Sequence, residues 1–597
     1  MYKSIIPELQ SIKIFEKELV VKSVYNFEAI QNTYARVYKY LLRFISSSEQ
    51  AEASIIFKID EALGREEYKI IVDEDITIIS SGEEGAFRAS ATLRQILAHK
   101  TIRQAELHDY PMIAKRGFML DISRGRVPKL TALKEYVDIL ANLKYNQFQL
   151  YLEDIVFEFE HYKEFCDDVI SIEELRELVD YCESMFIDLV PNQNSLGHMK
   201  HWVKLPEIAK FAICDDNGNA TETLNPLDER TISFVDTLYA DLIPHFKSDF
   251  MNICMDEPKT LGTGSSEADC ERLGRYNIYL DYLNQVVKLV NEKYHKTPMF
   301  WDDIIMQNTE NIRKIPKDAV AMSWGYEENW PYSGRCKLLQ EHKVRFYTCP
   351  SASNFCSFTG RFNNMVENIE NAAVNCILYG GEGLLLTEWG DCGHSQFAVT
   401  FFMPLIFASC CSWHYRSASW PWEMTTVAHL DYARSTDIIT KCEKYADEFI
   451  FGVQGMGRAL HKAANYYLME NDTIFSGSKL FYDMLSASNG KMLNIDADSL
   501  KMVADYINVV KKEFASMPQL TPHLDEILCN CDMVSLCAEA LLCIESGAGA
   551  MEKETLFQAI QALRKRYIEL WNRSSRERGS EIMGNILENL ANHVLLT

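Results

Sequence analysis

Between residues 116 and 422 the sequence alternates short apolar runs with segments long enough to form helices. Such apolar runs are typical of parallel strands that are buried on both faces. Eight strand-then-helix units predict an α/β fold with a (β/α)8 barrel. A doubly wound sheet has the same alternation, but no glycine-rich phosphate-binding loop follows the first strand. The eight predicted strands are Gly117–Ser123, Asn146–Asp154, Phe186–Ser195, Asp249–Glu257, Pro298–Ile304, Ala319–Tyr326, Val344–Pro350 and Gly383–Trp389.

The pattern changes on both sides of this region. Residues 1–112 are predicted to form a small accessory α/β domain, with strands at Tyr68–Val72 and Ile76–Ser80 followed by an amphipathic helix at Ala86–Leu97. The barrel is assigned to residues 113–428. Residues 429–597 have helical periodicity with Gly, Pro and Asn breaks, and predict an α-helical C-terminal domain.

The charge of the chain excludes two classes of partner. The sequence has 60 Lys and Arg against 85 Asp and Glu, which gives a formal net charge of −25. Phosphate backbones and anionic membranes repel such a protein, so we expect no nucleic acid and no membrane partner. The most apolar stretch, Phe397–Cys411, includes Pro404 and is too short for a membrane span, which favours a buried core helix.

The cysteines and the N-terminal sequence predict a compartment. Seventeen cysteines are scattered without paired spacing, which is typical of free thiols in a reducing environment. The first twenty residues have no apolar core followed by a small-residue cleavage site. We therefore expect a cytoplasmic protein.

Catalytic groups of a barrel come from the carboxyl ends of its strands and the loops that follow. Those positions hold no Ser-His-Asp arrangement and no His/Cys set with metal spacing, so we expect neither a cofactor nor a metal. Carboxylates supply acid–base chemistry and indoles pack against sugar rings, which together indicate glycoside chemistry. The residues at these ends are Asp121, Arg124, Glu153, Asp154, Asn194, His198, Asp256, Glu257, Trp301, Asp302, Asp303, Trp324, Tyr326, Trp389 and Asp391.

The fourth strand ends in two adjacent carboxylates, Asp256 and Glu257. An adjacent pair suggests that one group protonates the leaving oxygen while its neighbour holds a substrate group that acts as the nucleophile. Two alternatives stay open. A conventional glycosidase would use a second carboxylate, such as Asp302 or Asp303, as the nucleophile. A carbohydrate-binding scaffold built on a barrel would have no activity.

Several motifs in order resemble glycoside hydrolase family 20, the β-N-acetylhexosaminidases, and in particular its cytosolic-type branch. The N-terminal Gly85–Phe87 and Thr92–Gln95 are similar to the accessory α/β domain of that family. The motifs that carry the resemblance in the barrel are Arg116–Arg124, Asn146–Asp154, Met255–Glu257 with Leu261-Gly262, Trp301–Asp303, Trp324–Tyr326 and Trp389–His394.

The resemblance implies a retaining exo-hydrolase that releases terminal β-linked GlcNAc from an oligosaccharide or glycoconjugate, with GalNAc left open. Its catalysis would be substrate-assisted and would pass through an oxazolinium intermediate. By motif match, Glu257 is the general acid/base. Asp256 holds the acetamido N–H and orients the carbonyl oxygen for attack on the anomeric carbon.

The resemblance also implies substrate-binding roles at other strand ends. Arg124 and Asp391 would hold the sugar hydroxyls, with Asp121 as the structural partner of Arg124. Tyr326 is expected to bond the acetamido oxygen, and Tyr347 on the seventh strand is its competitor. The tryptophans expected to wall the acetamido pocket are Trp301, Trp324 and Trp389.

Asp154 and His198 are expected to lie near the acid and tune its pKa. Trp330 and Trp413 are predicted to be core residues. The sequence departs from the family pattern after the seventh strand, where Phe355 stands in place of a tryptophan, and near the C-terminus in the run 572–579. The C-terminal helices have two open roles, which are to cover the barrel mouth or to form a homodimer interface.

Overall fold

The computed structural model describes residues 2–28, 33–415, 432–469, 477–491, 496–518 and 521–597. The predicted boundary at residues 428 and 429 lies outside these residues. The N-terminal region is one seven-stranded sheet with helices α1 (Ala35–Leu41) and α2 (Glu83–Leu97). In the order β1-β7-β5-β6-β4-β2-β3, its strands are β1 (Ser11–Val20), β2 (Val24–Glu28), β3 (Ser46–Ser47), β4 (Ser54–Ile59), β5 (Tyr68–Val72), β6 (Ile76–Ser80) and β7 (Thr101–Asp109).

The predicted barrel is confirmed. Eight parallel strands close on themselves, and a two-stranded sheet of β11 (Ala212–Cys214) and β12 (Ala220–Leu224) is inserted after the third of them. The barrel strands are β8 (Lys115–Asp121), β9 (Gln147–Leu152), β10 (Asp188–Gln193), β13 (Phe250–Cys254), β14 (Thr297–Trp301), β15 (Val320–Trp324), β16 (Arg345–Cys349) and β17 (Gly383–Glu388).

Helices surround the barrel and form the C-terminal region. Those that belong to the barrel are α3 (Leu130–Asn142), α4 (Ile172–Ser184), α5 (Pro206–Ala209), α6 (Glu229–Leu242), α7 (Glu267–Leu273), α8 (Arg275–Tyr294), α9 (Asp303–Gln307), α10 (Tyr332–Glu341), α11 (Phe362–Tyr379) and α12 (Val399–Trp413). The C-terminal region contains α13 (Tyr432–Tyr445), α14 (Met456–Ala463), α15 (Lys479–Ser488), α16 (Ala497–Ala515), α17 (Pro522–Ser546), α18 (Ala550–Ser574) and α19 (Ser580–Leu596).

The interior of the barrel contains amide side chains as well as apolar ones. Gln149 accepts hydrogen bonds from the side chains of Asn192, at 2.9 Å, and Asn252, at 3.0 Å, which ties β9 to β10 and β13. All three residues are fully buried, so each bond also satisfies a polar group that has no access to water. These bonds fix the register of the strands whose ends carry the candidate site.

Two apolar helices are core helices. All residues of α12 are buried, as expected for Phe397–Cys411. Helix α17 is 25 residues long with a mean hydropathy of 1.8, which is long and apolar enough to cross a membrane, but 67% of that window is buried within the protein. It packs against α16 and α18, and its burial is that of a core helix in a helical bundle.

The N-terminal sheet is joined to the barrel at the amino ends of the strands. Arg116 of β8 pairs with Glu66 at 2.5 Å, and Glu66 also pairs with the buried Arg88 of α2 at 2.8 Å. A cavity of about 740 Å³ lies at this junction and is lined by residues of both regions, including Arg65 and Asp188. It lies at the opposite end of the barrel from every predicted site residue.

Candidate active site

The backbone after β13 adopts a strained conformation that turns two carboxylates into the barrel mouth. Cys254, Met255 and Glu257 have φ angles of 58°, 74° and 41°, a region that residues other than glycine rarely adopt. Gly197 packs directly on this turn, since a Cβ at that position would lie 2.5 Å from the carbonyl oxygen of Asp256. Strain of this kind persists where the surroundings hold it in place, and it is characteristic of active sites.

His198 joins the two carboxylates. Its Nε2 lies 3.3 Å from Oδ2 of Asp256 and 3.6 Å from Oε2 of Glu257. Burial of His198 opposes its charge, but the Asp256 carboxylate outweighs burial and raises the pKa of His198 to about 9. At neutral pH the imidazole is therefore positively charged and balances the carboxylates on either side of it. The structure places His198 next to Glu257, the predicted acid.

Asp256 and Glu257 differ in their exposure and partners. Asp256 is buried, and among the described residues its Oδ1 has no hydrogen-bond partner, although the atom is inaccessible to water. The side chain of Glu257 is 37% exposed, and its Oε2 lies 3.2 Å from Nζ of Lys259. One carboxylate is thus an acceptor that lacks a donor, and the other is a group with access to solvent.

Arg124 lies in a second charged cluster at the mouth. Its guanidinium pairs with Asp121 at 3.0 Å, Glu153 at 3.1 Å and Asp391 at 3.2 Å. Although burial alone lowers the pKa of Arg124, Asp391 and the other carboxylates raise it well above its ordinary value. Gly390 N–H also donates to Asp121, at 3.0 Å, so Asp121 is a structural partner of both chain segments as expected. Arg124 and Asp391 are close enough to hold one ligand together.

The structure corrects the position of Asp154. This carboxylate pairs with Arg578 at 3.0 Å and His201 at 3.2 Å, and among the described residues it forms no ion pair with His198. Its neighbour Glu153 lies beside Arg124 and 3.8 Å from Nδ1 of His198. Alternation along a strand explains the difference, because Gln149 points into the barrel and residues 151 and 153 continue on that face. The alternation of side chains along the strand was the signal in the sequence that favoured Glu153 over Asp154.

The predicted aromatic residues lie together in the mouth. Trp301 and Trp389 are buried with ring centroids 6.1 Å apart. The indole N–H of Trp389 donates to the hydroxyl of Tyr326 at 2.8 Å, and Tyr326 stacks on Trp324 at 5.0 Å. Burial raises the pKa of Tyr326 well above its ordinary value, so the phenol keeps its proton.

Tyr347 lies elsewhere in the barrel. It is in the middle of β16, where its ring packs against Gly383, the first residue of β17. The amino ends of these parallel strands lie at the end of the barrel opposite the mouth. Of the two competing tyrosines, Tyr326 is therefore the one that lies among the site tryptophans.

Trp330 corrects a second prediction, because it is not a core residue. It is partly exposed and stacks on Trp324, with centroids 6.2 Å apart and an interplanar angle of 11°. Gly325 permits this contact, since a Cβ there would lie 2.1 Å from the Trp330 indole. Trp413 is fully buried, as predicted. Phe355 lies edge-on to Tyr326 at 5.7 Å.

The second pair of adjacent carboxylates follows β14. Asp302 is fully buried and forms an ion pair with Arg335. Asp303 accepts a hydrogen bond from the backbone N–H of Glu257 at 3.2 Å. Burial and the nearby Asp256 carboxylate raise the pKa of Asp303 well above its ordinary value, which favours its neutral form.

The C-terminal residues 572–579 reach the loops at the barrel mouth. Besides its contact with Asp154, Arg578 donates to the carbonyl oxygen of Ile155 at 2.6 Å. Gly579 has a φ of 80° and packs on the Gly125 carbonyl, where a Cβ would lie 2.0 Å from the oxygen. These contacts hold the loops after β8 and β9 against the C-terminal helices.

Two family models match the sequence. The model described as "Glycosyl hydrolase family 20, domain 2" matches residues 2–110, and "Glycosyl hydrolase family 20, catalytic domain" matches residues 114–351. Together they cover more than half of the chain. The match to the catalytic domain ends before β17, the strand that precedes Trp389 and Asp391 and closes the barrel against β8.

Similar proteins and structures include several hexosaminidases. Beta-hexosaminidase subunit A2 of Dictyostelium discoideum is 22% identical over 44% of this chain and 53% of its own length. Beta-hexosaminidase of Porphyromonas gingivalis is 24% identical over 47% of this chain and 40% of its own length. The chain therefore spans about half the length of the curated relatives it matches.

Two solved structures have the same fold. The exo beta-N-acetylglucosaminidase of Vibrio harveyi, solved with N-acetylglucosamine, has a TM-score of 0.58 at 18% identity and covers 75% of this chain and 77% of its own. The chitobiase of Flavobacterium johnsoniae has a TM-score of 0.58 at 18% identity and covers 99% of both chains.

Proposed function

We propose, since this chain belongs to glycosyl hydrolase family 20, that it is a retaining exo-β-N-acetylhexosaminidase acting by substrate-assisted catalysis. Its substrate would be a terminal β-linked GlcNAc or GalNAc on an oligosaccharide or glycoconjugate. The observation that carries the proposal is the buried Oδ1 of Asp256, an acceptor without a partner among the described residues, beside the solvent-accessible Glu257. An acetamido N–H supplies the donor that this oxygen lacks.

In the first step, Glu257 donates its proton to the glycosidic oxygen as the bond to the anomeric carbon breaks. The carbonyl oxygen of the substrate's acetamido group attacks the anomeric carbon and forms an oxazolinium ring. Asp256 accepts the N–H of that ring and stabilises the positive charge that develops on it. An ionised acceptor already in place is effective because it does not have to reorganise during the reaction.

In the second step, Glu257 is a carboxylate and removes a proton from water. The water oxygen attacks the anomeric carbon, the ring opens, and the acetamido group and the protonated Glu257 are restored. Two inversions at one carbon give net retention of configuration. The charged His198 stays beside both carboxylates throughout and stabilises the ionised forms.

The rival nucleophiles at the end of β14 are poorly suited to attack a sugar. Asp302 is buried and paired with Arg335. Burial and Asp256 raise the pKa of Asp303, which favours its neutral form, and a neutral carboxylic acid is a weak nucleophile. This leaves the substrate's own carbonyl oxygen as the better nucleophile. A scaffold without activity has no need for an unpaired carboxylate oxygen beside an exposed acid.

The remaining predicted residues fit a pocket for one terminal sugar. Arg124 and Asp391 are placed to bind its hydroxyls, and the indoles of Trp301 and Trp389 give apolar walls for the acetyl methyl group. We assign Tyr326 to the acetamido oxygen, because its protonated hydroxyl lies beside Trp389. The cytoplasmic location and a homodimer remain predictions from the sequence.

The proposal is tested by release of nitrophenol from the nitrophenyl β-glycosides of GlcNAc, GalNAc and glucose, with and without GlcNAc-thiazoline. This inhibitor resembles the cyclised acetamido intermediate and binds tightly only where such an intermediate forms. We expect hydrolysis of the acetamido sugars alone and inhibition by thiazoline. Rapid cleavage of the glucoside, or indifference to thiazoline, would mean that the protein supplies the nucleophile.

A further inference from the structure

A cavity of about 340 Å³ opens beside Glu257. Its lining shares Glu257 and Trp324 with the site described above, but includes none of Arg124, Trp389 or Asp391. The cavity therefore adjoins the acid without including the residues assigned to the hydroxyls of the terminal sugar. In a glycosidase, the leaving sugar also lies next to the general acid, which protonates its oxygen.

The lining of this cavity contains three basic side chains beside the carboxyl groups of Glu257 and Asp303. The basic side chains are Lys259, Arg275 and Arg335, of which Arg335 is neutralised by Asp302. Among the described residues Arg275 forms no ion pair, and its buried Nε has no hydrogen-bond partner. Asp303 also lines the cavity, and burial and the Asp256 carboxylate raise its pKa well above its ordinary value, which lessens the negative charge that it contributes. Arg275 is thus a cation without an ion-pair partner among the described residues, in a chain with a net charge of −25.

Among the described residues, the ion-pair partner of Lys259 is the acid itself. Its Nζ lies 3.2 Å from Glu257, and the lysine side chain is 60% exposed. When Glu257 carries the proton that it is to donate, it offers Lys259 no negative charge. A negative group on the leaving sugar would then be the counterion for both Lys259 and Arg275.

Two indoles also line the cavity. Trp324 and Trp330 stack at 6.2 Å and present apolar surface next to the two cations. Aromatic surface of this kind packs against the C–H groups of a pyranose ring, and neighbouring cations bind its acidic substituent. The combination is suited to a sugar ring that carries a charge.

We propose that this cavity is the subsite for the leaving sugar, and that Lys259 and Arg275 select an acidic sugar that carries a carboxylate or a sulfate. The proposal rests on the proposed function, because it assigns a leaving group to the same acid. It adds a preference at the reducing side of the scissile bond that the family match does not carry.

The test compares three disaccharides in which GlcNAc is β-linked to the same position of glucose, glucuronic acid or 6-sulfated glucose. We expect kcat/KM for at least one acidic disaccharide to exceed that for the glucose compound by about tenfold or more at low salt. The two acidic arms distinguish carboxylate from sulfate. The excess should shrink as salt is added, because the pairs are partly exposed.

The variants Lys259→Gln and Arg275→Gln should each lower the acidic-to-neutral ratio of kcat/KM by about threefold or more. The ratio is the readout because partial unfolding lowers both rates equally. The matched control is Lys288→Gln on the outer surface of α8, the helix that begins at Arg275; its Lys288 side chain is 70% exposed, and we expect this ratio to stay unchanged.

A ratio near one in the wild type, or a ratio that both variants leave unchanged, would overturn the subsite. Failure of the proposed function has a different signature, since the wild type would then release nothing from nitrophenyl β-GlcNAc. An enzyme that cleaves nitrophenyl β-GlcNAc but shows no acidic preference keeps its function and loses only this subsite.

Discussion

Two pairs of adjacent carboxylates end neighbouring strands of the barrel, and the protein treats them differently. Asp256 and Glu257, after β13, lie beside a charged histidine, and one oxygen of Asp256 has no partner among the described residues. After β14, Asp302 is paired with Arg335, and Asp303 accepts a hydrogen bond from the Glu257 N–H and has its pKa raised by burial and by Asp256. The same pattern in the sequence thus gives a reactive pair and a structural pair, because burial and neighbouring charges decide what a carboxylate can do.

The largest expected difference between the pairs is at Glu257. Glu257→Gln removes the proton that is donated and should lower kcat/KM on nitrophenyl β-GlcNAc by about 10²- to 10⁴-fold. The matched change on the other strand, Asp303→Asn, should cost less than about tenfold. The raised pKa of Asp303 favours its neutral form, and an amide oxygen can still accept from the Glu257 N–H. Equal losses of kcat/KM in the two variants would show that the two carboxylate pairs do not differ in their catalytic roles.

The second-largest loss of activity is expected from substitution of Asp256. Asp256→Asn replaces an ionised acceptor with a neutral amide and should lower kcat/KM by about 10²- to 10³-fold, because the developing positive charge loses its counterion. The same variant should bind GlcNAc-thiazoline more weakly. Steady-state kinetics and inhibition constants measure both effects. Full activity with unaltered thiazoline binding would show that Asp256 does not contact the acetamido group.

The charge of His198 makes the activity of the reactive pair, Asp256 and Glu257, depend on pH. Its pKa of about 9 lies above its ordinary value of 6.5, so its charge and the stability it contributes are fully present below pH 6.5 and are lost as pH rises through 9. We therefore expect kcat/KM to fall between pH 8 and 10, and His198→Gln to remove that transition.

His523 is the control for this pH dependence. Its pKa is also raised to about 9, by Glu135 and Glu526 against the opposing effect of burial, and it lies on α17 away from the site. His523→Gln should change stability at alkaline pH but preserve the transition in kcat/KM. An activity profile that flattens in this variant would assign the transition to unfolding instead of to His198.

The smallest expected effect is on stability, at Arg578, which links the C-terminal run 572–579 to a loop of the barrel mouth. Arg578→Met leaves the buried Asp154 without one of its two side-chain partners and should lower the free energy of unfolding by about 1–3 kcal/mol. The control Arg573→Met breaks a more exposed pair with Asp525 and should cost about 0–1 kcal/mol. Denaturant titration measures both. Equal losses would show that the contact at the mouth is no more than a surface ion pair.

Much of the site was predictable because parallel strands bring their carboxyl ends together. Reading only those ends selected Asp256, Glu257, Arg124 and Trp389, which the structure brings to one mouth. The choice of Asp154 over Glu153 was wrong because it ignored the alternation that runs from Gln149. That information was present in the sequence.

Other features could not be predicted from local pattern. Arg578 reaches Asp154 across 424 residues of sequence, and no periodicity encodes such a contact. Trp330 lines the cavity beside the acid because a glycine at 325 leaves room for its indole, which only the packed structure reveals. The pairing of Asp302 with Arg335, which separates the two carboxylate pairs, is likewise a property of the folded chain.

The central claim is that the acetamido oxygen of the substrate, held by Asp256, is the nucleophile. The most direct measurement is kcat/KM for nitrophenyl glycosides of glucosamine whose N-acetyl group carries zero, one, two or three fluorines. Fluorine withdraws electrons from the carbonyl oxygen, so we predict a steep fall, of at least about tenfold from the first to the last substrate. A rate that is independent of fluorination would contradict the account and return the search to a carboxylate of the protein.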